Sequence, residues 1–350
     1  MENLVAVVLA AGEGTRMVSS IPKVLHHICG KPMISHVIDC VDEVGVDELF
    51  FVTGFKEPEI RDSVIRHGEC ITQSERLGTA HAVMQVLPYL EKHRGDVLIM
   101  CGDTPLIKPT TIERVVKKRR SHHLAGTVLT TKMNDPSGYG RVVRNRDLTV
   151  RKIVEEKDTN IYEAEIREIN TGTYCFSIPD LLNSLPLVEN DNAQQEYYLT
   201  DVIEILFRKN REVEAVLTDD PHEAIGINSR MELARAEKYM RLRILDKIMQ
   251  QGVTVLSPET TFVDKTARIG RDSIIYPFSI IEGNSVIGER CRIGPSAHIV
   301  DSTIGDNVIV NRSTVENADI PGDTNIPPLS YLTGEESDSV LRQMARDENI

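Results

Sequence analysis

The sequence has 350 residues, of which 41% are hydrophobic and 27% charged, a composition typical of a globular chain of about two domains. A formal net charge of −13 and only 5% aromatic residues argue against a general nucleic-acid binder, which presents a basic surface. No apolar stretch approaches the roughly 20 residues of a membrane-spanning helix. Six scattered cysteines without a CxxC pair argue against disulfides or a zinc site and favour the reducing cytoplasm.

Short apolar runs alternate with amphipathic stretches over the first part of the chain. Strands are predicted at 4–9, 49–53, 96–101, 125–131, 150–154 and 173–176, and helices at 32–44, 79–90 and 196–209. Such alternation is typical of βαβ units. It predicts an α/β, Rossmann-like domain with a mostly parallel sheet over residues 1–228. A charged linker helix over residues 229–252 follows, ending at Gly252.

The periodicity changes after the linker helix. An aliphatic residue recurs every six positions at Val263, Ile269, Ile275, Ile281, Ile287, Ile293 and Ile299, and then, after one dropped residue, at Ile304 and Val310. This hexapeptide pattern indicates a parallel β-helix. Nine such positions at three per coil predict about three coils over residues 253–318. Ordinary sandwich strands are the alternative, and they predict a period of two. Residues 319–350 are predicted to form a cap or tail, because a solenoid end exposes unpaired backbone.

A glycine-rich loop, Leu9 to Met17, follows the first predicted strand. Gly12 and Gly14 allow the backbone to approach a ligand closely, and consecutive N–H groups can then bind phosphate oxygens. Arg16 can bind a phosphate with two parallel hydrogen bonds, and Lys23 follows a stiffening proline. The loop lacks the P-loop and dinucleotide fingerprints. Taken alone, its glycines are also compatible with an ordinary tight turn.

Longer motifs follow in order along the chain: PKVLH at 22–26, GKPM at 30–33, QSERLGTAHA at 73–82, GDTPL at 102–106, EINTG at 168–172 and NAQQEYYLTD at 192–201. This set resembles the signature of the sugar-nucleotide pyrophosphorylases. More narrowly, it resembles the bacterial bifunctional N-acetylglucosamine-1-phosphate uridyltransferase family over about residues 4–315. The resemblance implies a nucleotidyltransferase domain followed by a left-handed β-helix. It implies formation of UDP-N-acetylglucosamine, a cell-wall precursor, and pyrophosphate from UTP and N-acetylglucosamine 1-phosphate.

The resemblance also implies roles for individual residues. The nucleotide-binding set is Leu9, Ala10, Ala11, Gly12, Gly14, Thr15, Gln73, Gly78 and Thr79. The sugar-binding set is Gly140, Glu155, Asn170, Thr171, Tyr198 and Thr200. Arg16 and Lys23 are the implied catalytic cations, and Asp103 and Asn228 the implied Mg²⁺ ligands.

Three of these assignments have plainer alternatives. An amide such as Gln73 can pair with the edge of uracil, but it could also be a solvated loop glutamine. Asp103 offers the hard oxygen that Mg²⁺ prefers, but an aspartate after a strand could cap the next helix. Tyr198 could belong to the core.

The sequence departs from the family pattern at two positions. Cys101 stands where relatives commonly have Tyr, and Gln195 where they commonly have Gly. Glu13 also places a negative charge in the phosphate loop, and its role is open. Glucose-1-phosphate uridylyl- or thymidylyltransfer therefore remains an alternative, as does a non-catalytic nucleotide-sugar-binding regulator.

The resemblance implies a homotrimer associating through the β-helix. In the bifunctional relatives a longer β-helix carries the acetyltransferase site. The basic and histidine residues of that site have no counterpart in this sequence. A single activity without acetyl transfer is therefore expected.

Overall fold

The computed structural model describes residues 3–12, 14–54 and 58–334. They divide into two compact units. The first unit consists of the chain up to residue 26 together with residues 32–236. The second unit consists of residues 27–31 together with the chain from residue 237 onward. No described helix combines the length and the apolar character needed to cross a bilayer.

The strands that precede the solenoid are numbered in chain order. They are β1 Asn3–Leu9, β2 His27–Ile28, β3 Lys31–Pro32, β4 Glu48–Gly54, β5 Glu69–Gln73, β6 Gly95–Cys101, β7 Gly126–Lys132, β8 Arg141–Arg144, β9 Val150–Val154, β10 Glu168–Ser177 and β11 Val213–Leu217. The helices are α1 Met33–Val44, α2 Pro58–Val64, α3 Thr79–Met84, α4 Leu87–Leu90, α5 Pro109–Ser121, α6 Ile161–Ala164, α7 Ile178–Ser184, α8 Asp201–Arg208 and α9 Arg230–Gln250.

The first unit is built on a nine-stranded sheet whose main path is β11-β7-β10-β6-β1-β4-β5. Strand β1 pairs in parallel with both β4 and β6, and β4–β5 and β7–β11 are also parallel. The exception on this path is β10, which runs antiparallel between β6 and β7 and also pairs with β8 of the β8–β9 hairpin. The predicted α/β domain with a mostly parallel sheet is confirmed.

Both faces of the sheet are covered. Val5 and Val7 of β1 pack into one hydrophobic core, whereas the alternate residues Ala6 and Val8 pack into a second core. This is the burial expected of parallel strands with helices on both sides. The ends of the strands are therefore the part of the sheet open to a ligand.

Two helices are shorter than predicted. The helix expected at 79–90 is divided into α3 and α4, because Pro88 has no N–H to continue the helical hydrogen bonds. The helix expected at 196–209 begins only at Asp201. The preceding residues are held by Tyr197, whose N–H donates to Leu77 O at 2.7 Å and whose carbonyl accepts from Ala80 N at 2.8 Å.

The second unit is a parallel β-helix, as the hexapeptide pattern predicts. Its strands are β12 Thr254–Val255, β13 Phe262–Val263, β14 Arg268–Ile269, β15 Ile274–Ile275, β16 Ile280–Glu282, β17 Val286–Ile287, β18 Arg292–Ile293, β19 His298–Val300, β20 Thr303–Ile304, β21 Ile309–Val310, β22 Thr314–Glu316, β23 Asp319–Ile320, β24 Asn325–Ile326 and β25 Tyr331–Thr333. They stack in register as two parallel sheets of five strands and one of four. This excludes the sandwich alternative and confirms the left-handed hexapeptide type of solenoid.

The sequence pattern has a direct structural cause. The predicted aliphatic positions, such as Ile281 and Ile299, are buried inside the coils, except that Ile269 is only partly buried. The small residues that recur between them are buried at the corners. Ser279 Oγ donates to Tyr276 O at 2.8 Å, so the turn satisfies its own polar groups.

The β-helix is longer than the count of about three coils. Stacking begins at Thr254 and continues to Thr333, past the expected boundary at 318. On the carboxyl side, the strict six-residue count missed coils because Val315 lies five positions after Val310, and Ile320 five positions after Val315. Of the expected cap, residues 335–350 lie outside the described part of the chain.

We expect Ile299→Ala to lower the free energy of unfolding of the β-helix by about 2–5 kcal/mol, because it removes a fully buried side chain and leaves a cavity. Urea unfolding followed by circular dichroism measures the change. Val286→Ala is the matched control, since Val286 points outward and is 43% exposed. Equal losses in the two variants would contradict the inward assignment.

Candidate active site

The glycine-rich loop leaves the carboxyl end of β1, the region of an α/β sheet where ligands bind. The sheet fixes its start, because Ala10 N donates to Val52 O at 2.8 Å and Gly102 N donates to Leu9 O at 2.9 Å. A pocket of about 580 Å³ opens at this point. Its lining includes all six loop residues predicted to bind nucleotide, namely Leu9, Ala10, Ala11, Gly12, Gly14 and Thr15. Glu13 lies outside the described residues.

The backbone at Gly14 explains why the loop requires glycine. Its φ of 63° is left-handed. An added Cβ would lie 2.6 Å from Cβ of Lys23. The absence of a side chain therefore lets the stem of Lys23 pack directly against the loop.

Three groups from distant parts of the chain meet at the end of Lys23. Its Nζ lies 2.5 Å from Oδ2 of Asp103 and 3.1 Å from Oδ1 of Asn228. The side chains of Lys23 and Asp103 are only 12% and 15% exposed. Ile227 N donates to Asp103 O at 3.0 Å, which holds the neighbouring Asn228 in place. The two oxygens predicted as metal ligands thus converge on one position beside the loop, and that position holds a positive charge.

This donor pair fits a divalent cation. Carboxylate and amide oxygens suit a hard cation, and Mg²⁺ in phosphate sites is commonly held by one or two protein ligands completed by substrate and water. Among the described residues no group of three or more His, Cys, Asp or Glu side chains could hold a metal. A metal at Asp103 and Asn228 would therefore depend on oxygens of the substrate. The capping alternative for Asp103 is not observed, since the N-cap of α5 is Lys108.

The predicted base-binding residues lie across the pocket. Gln73 ends β5 and is only 4% exposed, which excludes the solvated-loop alternative. Its Nε2 donates to Gly78 O at 3.2 Å and lies 3.1 Å from Nδ1 of His81. Because the nitrogen faces these groups, we predict that the amide oxygen is the atom that accepts from a base. At Gly78, with φ 112°, an added Cβ would lie 2.4 Å from Tyr197 O, so this turn also requires glycine.

Thr79 has a structural contact as well as a place in the pocket lining. It is the first residue of α3, and its Oγ1 accepts from Leu199 N at 3.0 Å. Together with the backbone bonds of Tyr197, this contact joins the base side of the pocket to the segment that carries predicted sugar-binding residues.

Four of the predicted sugar-binding residues form a second cluster. Thr200 Oγ1 donates to Oε1 of Glu155 at 3.1 Å, and Asn170 N donates to Gly140 O at 2.9 Å. An added Cβ on Gly140 would lie 3.4 Å from Oε2 of Glu155, which places these two residues side by side. These residues do not line the nucleotide pocket described above. Cys101 connects the two regions, because it lines that pocket while its Sγ lies 3.7 Å from Gly172 O.

Thr171 and Tyr198 are placed differently from the cluster. The hydroxyl of Thr171 donates to Leu129 O at 2.9 Å, so this side chain is directed towards β7. Tyr198 is buried, in agreement with the core-packing alternative. Their roles in sugar binding stay predictions, and so do those of the other four residues.

Carboxylates crowd the sugar cluster. Burial raises the pKa of Glu155 above its usual range, and the hydrogen bond from Thr200 offsets this only in part. Burial, together with the nearby charge of Glu155, raises the pKa of Asp201 to about 6. Asp201 therefore titrates at mildly acidic pH.

Arg16 does not lie in the cluster that Lys23 forms with Asp103 and Asn228. It is exposed in a short 3-10 turn, Thr15–Met17, outside the pocket lining. Among the described lining residues the cations are instead Lys23 and Arg76, and Glu196 adds an acid. No role for Arg76 or Glu196 was predicted from the sequence. The signal available for Arg76 was a cation inside the motif that runs from Gln73 to Ala82.

Known proteins share both units of this chain. The nucleotidyl transferase family matches residues 5–226, and the bacterial transferase hexapeptide family matches residues 266–301. "Bifunctional protein GlmU" of Geobacillus sp. (strain WCH70) is 46% identical over 331 residues, which cover 93% of this chain and 71% of that protein. The protein of the same name from Pelotomaculum thermopropionicum is 46% identical over 333 residues, covering 95% and 73%. The chain belongs to the GlmU family. The resemblance seen in the motifs is confirmed.

The cysteine that departs from the GlmU pattern lies between the nucleotide pocket and the sugar cluster. Burial raises the pKa of the Cys101 thiol to about 12, so the group stays neutral at ordinary pH. An added Cβ on Gly172 would lie 3.0 Å from its sulfur. Cys101 thus offers the site a small, neutral side chain where the resemblance implies a tyrosine.

The second departure has a backbone cause. Gln195 adopts a left-handed φ of 56°, the conformation in which glycine is unstrained. Its loop is held by Asn192, whose Nδ2 donates to Glu196 O at 2.6 Å and whose Oδ1 accepts from Gln194 N at 3.2 Å. The loop therefore carries a long polar side chain at a position whose backbone conformation favours glycine.

We expect Gln195→Gly to raise the free energy of unfolding of the nucleotidyl transferase unit by about 0.5–1 kcal/mol, because removing the left-handed strain outweighs the extra freedom of glycine in the unfolded chain. Thermal unfolding measures the change. Gln194→Gly is the matched control in the same loop. Gln194 is not among the residues with positive φ, so its replacement should destabilise. Effects of the same sign would contradict this account.

We expect the stability of this GlmU-family protein to depend on Asp201 at acidic pH. The folded pKa of about 6 lies above the ordinary value near 4, so the folded state binds the proton more tightly and stability falls as pH rises from about 4 through about 6. Asp201→Asn should therefore gain melting temperature relative to the wild type across that window. Asp219→Asn, at a side chain 91% exposed, is the control. A constant difference between Asp201→Asn and the wild type would contradict the assignment.

Proposed function

We propose that this protein joins UTP and N-acetylglucosamine 1-phosphate to form UDP-N-acetylglucosamine and pyrophosphate. The convergence of Lys23, Asp103 and Asn228 beside the glycine-rich loop carries the proposal. Membership of the GlmU family supports it. The position of the glycine-rich loop at the edge of the sheet also suits nucleotidyl transfer.

The reaction needs positioning and charge neutralisation more than proton transfer. A phosphate oxygen of the sugar 1-phosphate forms a bond to the α-phosphorus of UTP. The bond from that phosphorus to the α–β bridging oxygen breaks, and pyrophosphate leaves with that oxygen. The attacking group is already anionic near neutral pH, so the residues need only align the two substrates and balance the charge that develops.

We propose a role in substrate binding or charge neutralisation for each of the following groups of the protein. Backbone N–H groups of the described loop residues Ala10, Ala11, Gly12, Gly14 and Thr15 bind the triphosphate, and the amide oxygen of Gln73 accepts from uracil. Lys23 and Arg16 balance the charge of the departing pyrophosphate. Glu155 and Asn170 bind the sugar, whose hydroxyl and amide groups suit a carboxylate and a side-chain amide.

Mg²⁺ is the metal that we propose for Asp103 and Asn228. Bound there, it would neutralise phosphate charge where the two substrates meet. The ammonium of Lys23 between the same two oxygens supports the choice, since the position already accommodates a cation.

We further propose that the protein is a cytoplasmic homotrimer associated through its β-helix. The six cysteines all lie in the described residues and are thiols, as in a reducing compartment. Size-exclusion chromatography with light scattering tests the trimer, and a monomeric mass would overturn it.

Cys101 and Gln195 favour one second candidate, transfer to another sugar phosphate such as glucose 1-phosphate, with UTP or dTTP. A pyrophosphate-release assay with each nucleotide and each sugar phosphate, with Mg²⁺ present, separates the two. The primary proposal expects the highest kcat/KM for UTP with N-acetylglucosamine 1-phosphate. A clear preference for glucose 1-phosphate would replace it, and no release with any pair would support the non-catalytic alternative.

We expect Asp103→Asn to lower kcat by about 100- to 1,000-fold while the protein stays folded, because the site loses its one charged metal ligand. Pyrophosphate release measures turnover and circular dichroism the fold. Asp219→Asn, on the exposed surface beside Arg114, is the control and should keep full turnover. Near-normal turnover in Asp103→Asn would overturn the metal assignment.

A further inference from the structure

Arg76 connects the two halves of the nucleotide pocket. It lies between β5 and α3 and lines the same pocket as the glycine-rich loop. Its Nε donates to the carbonyl oxygen of Ala11 at 2.7 Å. Arg76 itself belongs to the turn closed by the bond from Gln73 Nε2 to Gly78 O. One guanidinium thus joins the loop proposed to hold the phosphates to the turn proposed to hold the base.

The bond to Ala11 supports the part of the loop that the sheet does not reach. The sheet fixes the loop up to Ala10, and the 3-10 turn fixes it again where Met17 N donates to Gly14 O at 2.8 Å. A loop that binds an anion directs N–H groups towards the ligand, so its carbonyls need donors from elsewhere. Arg76 supplies such a donor, and a hydrogen bond from a charged group is stronger than one from a neutral group.

The charges around the pocket give the guanidinium a second effect. Asp103 and Glu196 line the pocket, and the ammonium of Lys23 is held by Asp103. A triphosphate entering here therefore approaches two carboxylates. The guanidinium carries a positive charge, so Arg76 offsets part of this repulsion.

We propose that Arg76 is a positioning residue that ties the glycine-rich loop to the base-binding turn and thereby sets the affinity for the nucleoside triphosphate. This rests on the proposed function, because it concerns the nucleotide half of the same site. The effect is on binding, which is common to the ground state and the transition state. It therefore changes the KM for the nucleotide and leaves kcat nearly unchanged.

The kinetic test compares the wild type with Arg76→Gln and Arg76→Lys. We expect the KM for UTP to rise by about 10- to 100-fold in Arg76→Gln, the loss corresponding to one charge-assisted hydrogen bond. The values of kcat and of KM for the sugar phosphate should stay within about threefold. Arg76→Lys keeps the charge without the planar fork and should fall between the wild type and Arg76→Gln.

Chemical rescue separates positioning from a general loss of structure. Guanidinium ion at millimolar concentration should restore UTP binding to Arg76→Ala, measured by calorimetric titration, and should not improve the wild type. Arg66→Gln is the matched control, since Arg66 is an exposed arginine that precedes β5 and does not line the pocket. Its KM for UTP should equal that of the wild type.

The titrations also distinguish this proposal from the proposed function. They need no turnover, so they are run with UTP, dTTP, CTP, ATP and GTP even if no sugar phosphate reacts. Failure of the wild type to release pyrophosphate would overturn the proposed function, while weaker nucleotide binding by Arg76→Gln would still support this proposal. An unchanged affinity in Arg76→Gln, or a lower kcat at unchanged KM, would overturn it.

Discussion

The ion pair between Lys23 and Asp103, extended to Asn228, is the contact on which the geometry of the site depends. It joins the glycine-rich loop, the end of β6 and the segment before α9, which are far apart in sequence. A carboxylate as enclosed as that of Asp103 requires a cation nearby, because desolvation without one is costly. The position of the glycine-rich loop is therefore coupled to the positions of the two predicted metal ligands. A movement of the Lys23 side chain would change the surroundings of the Asp103 and Asn228 oxygens and of the backbone at Gly14.

The sheet explains why these groups meet at one edge. Parallel β1, β4, β5 and β6 all end on the same side, so their following residues deliver the loop, Gln73 and Asp103 together. Both faces of the sheet are buried, which leaves the strand ends for chemistry. The antiparallel β10 beside β6 brings Asn170 and Gly172 to the same region, and Gly172 lies next to Cys101.

Features set by local spacing could be predicted from the sequence, and features set by long-range contacts could not. The hexapeptide period revealed the β-helix because each inward aliphatic occupies a fixed place in its own coil, but the count stopped where Val310 and Val315 are five residues apart. The phosphate loop and Asp103 were predictable from glycines and a strand end. The bond from Arg76 to Ala11 spans 65 residues and has no local pattern, and the exposed position of Arg16 likewise depends on the folding of its turn.

The two halves of the site are under different physical constraints. The nucleotide half must balance triphosphate charge with a few fixed groups, so Lys23, Asp103 and Gly14 leave little freedom for substitution. Sugar discrimination depends on neutral hydrogen bonds and shape, where the loss of one hydroxyl changes preference without abolishing the reaction. Cys101 lies between the two halves, and Gln195 lies in the loop that precedes the predicted sugar-binding residue Tyr198. At Gln195 the backbone is left-handed, so this residue carries a side chain in a conformation that favours glycine. We therefore propose that these two residues influence the choice of sugar phosphate and not the nucleotidyl transfer itself.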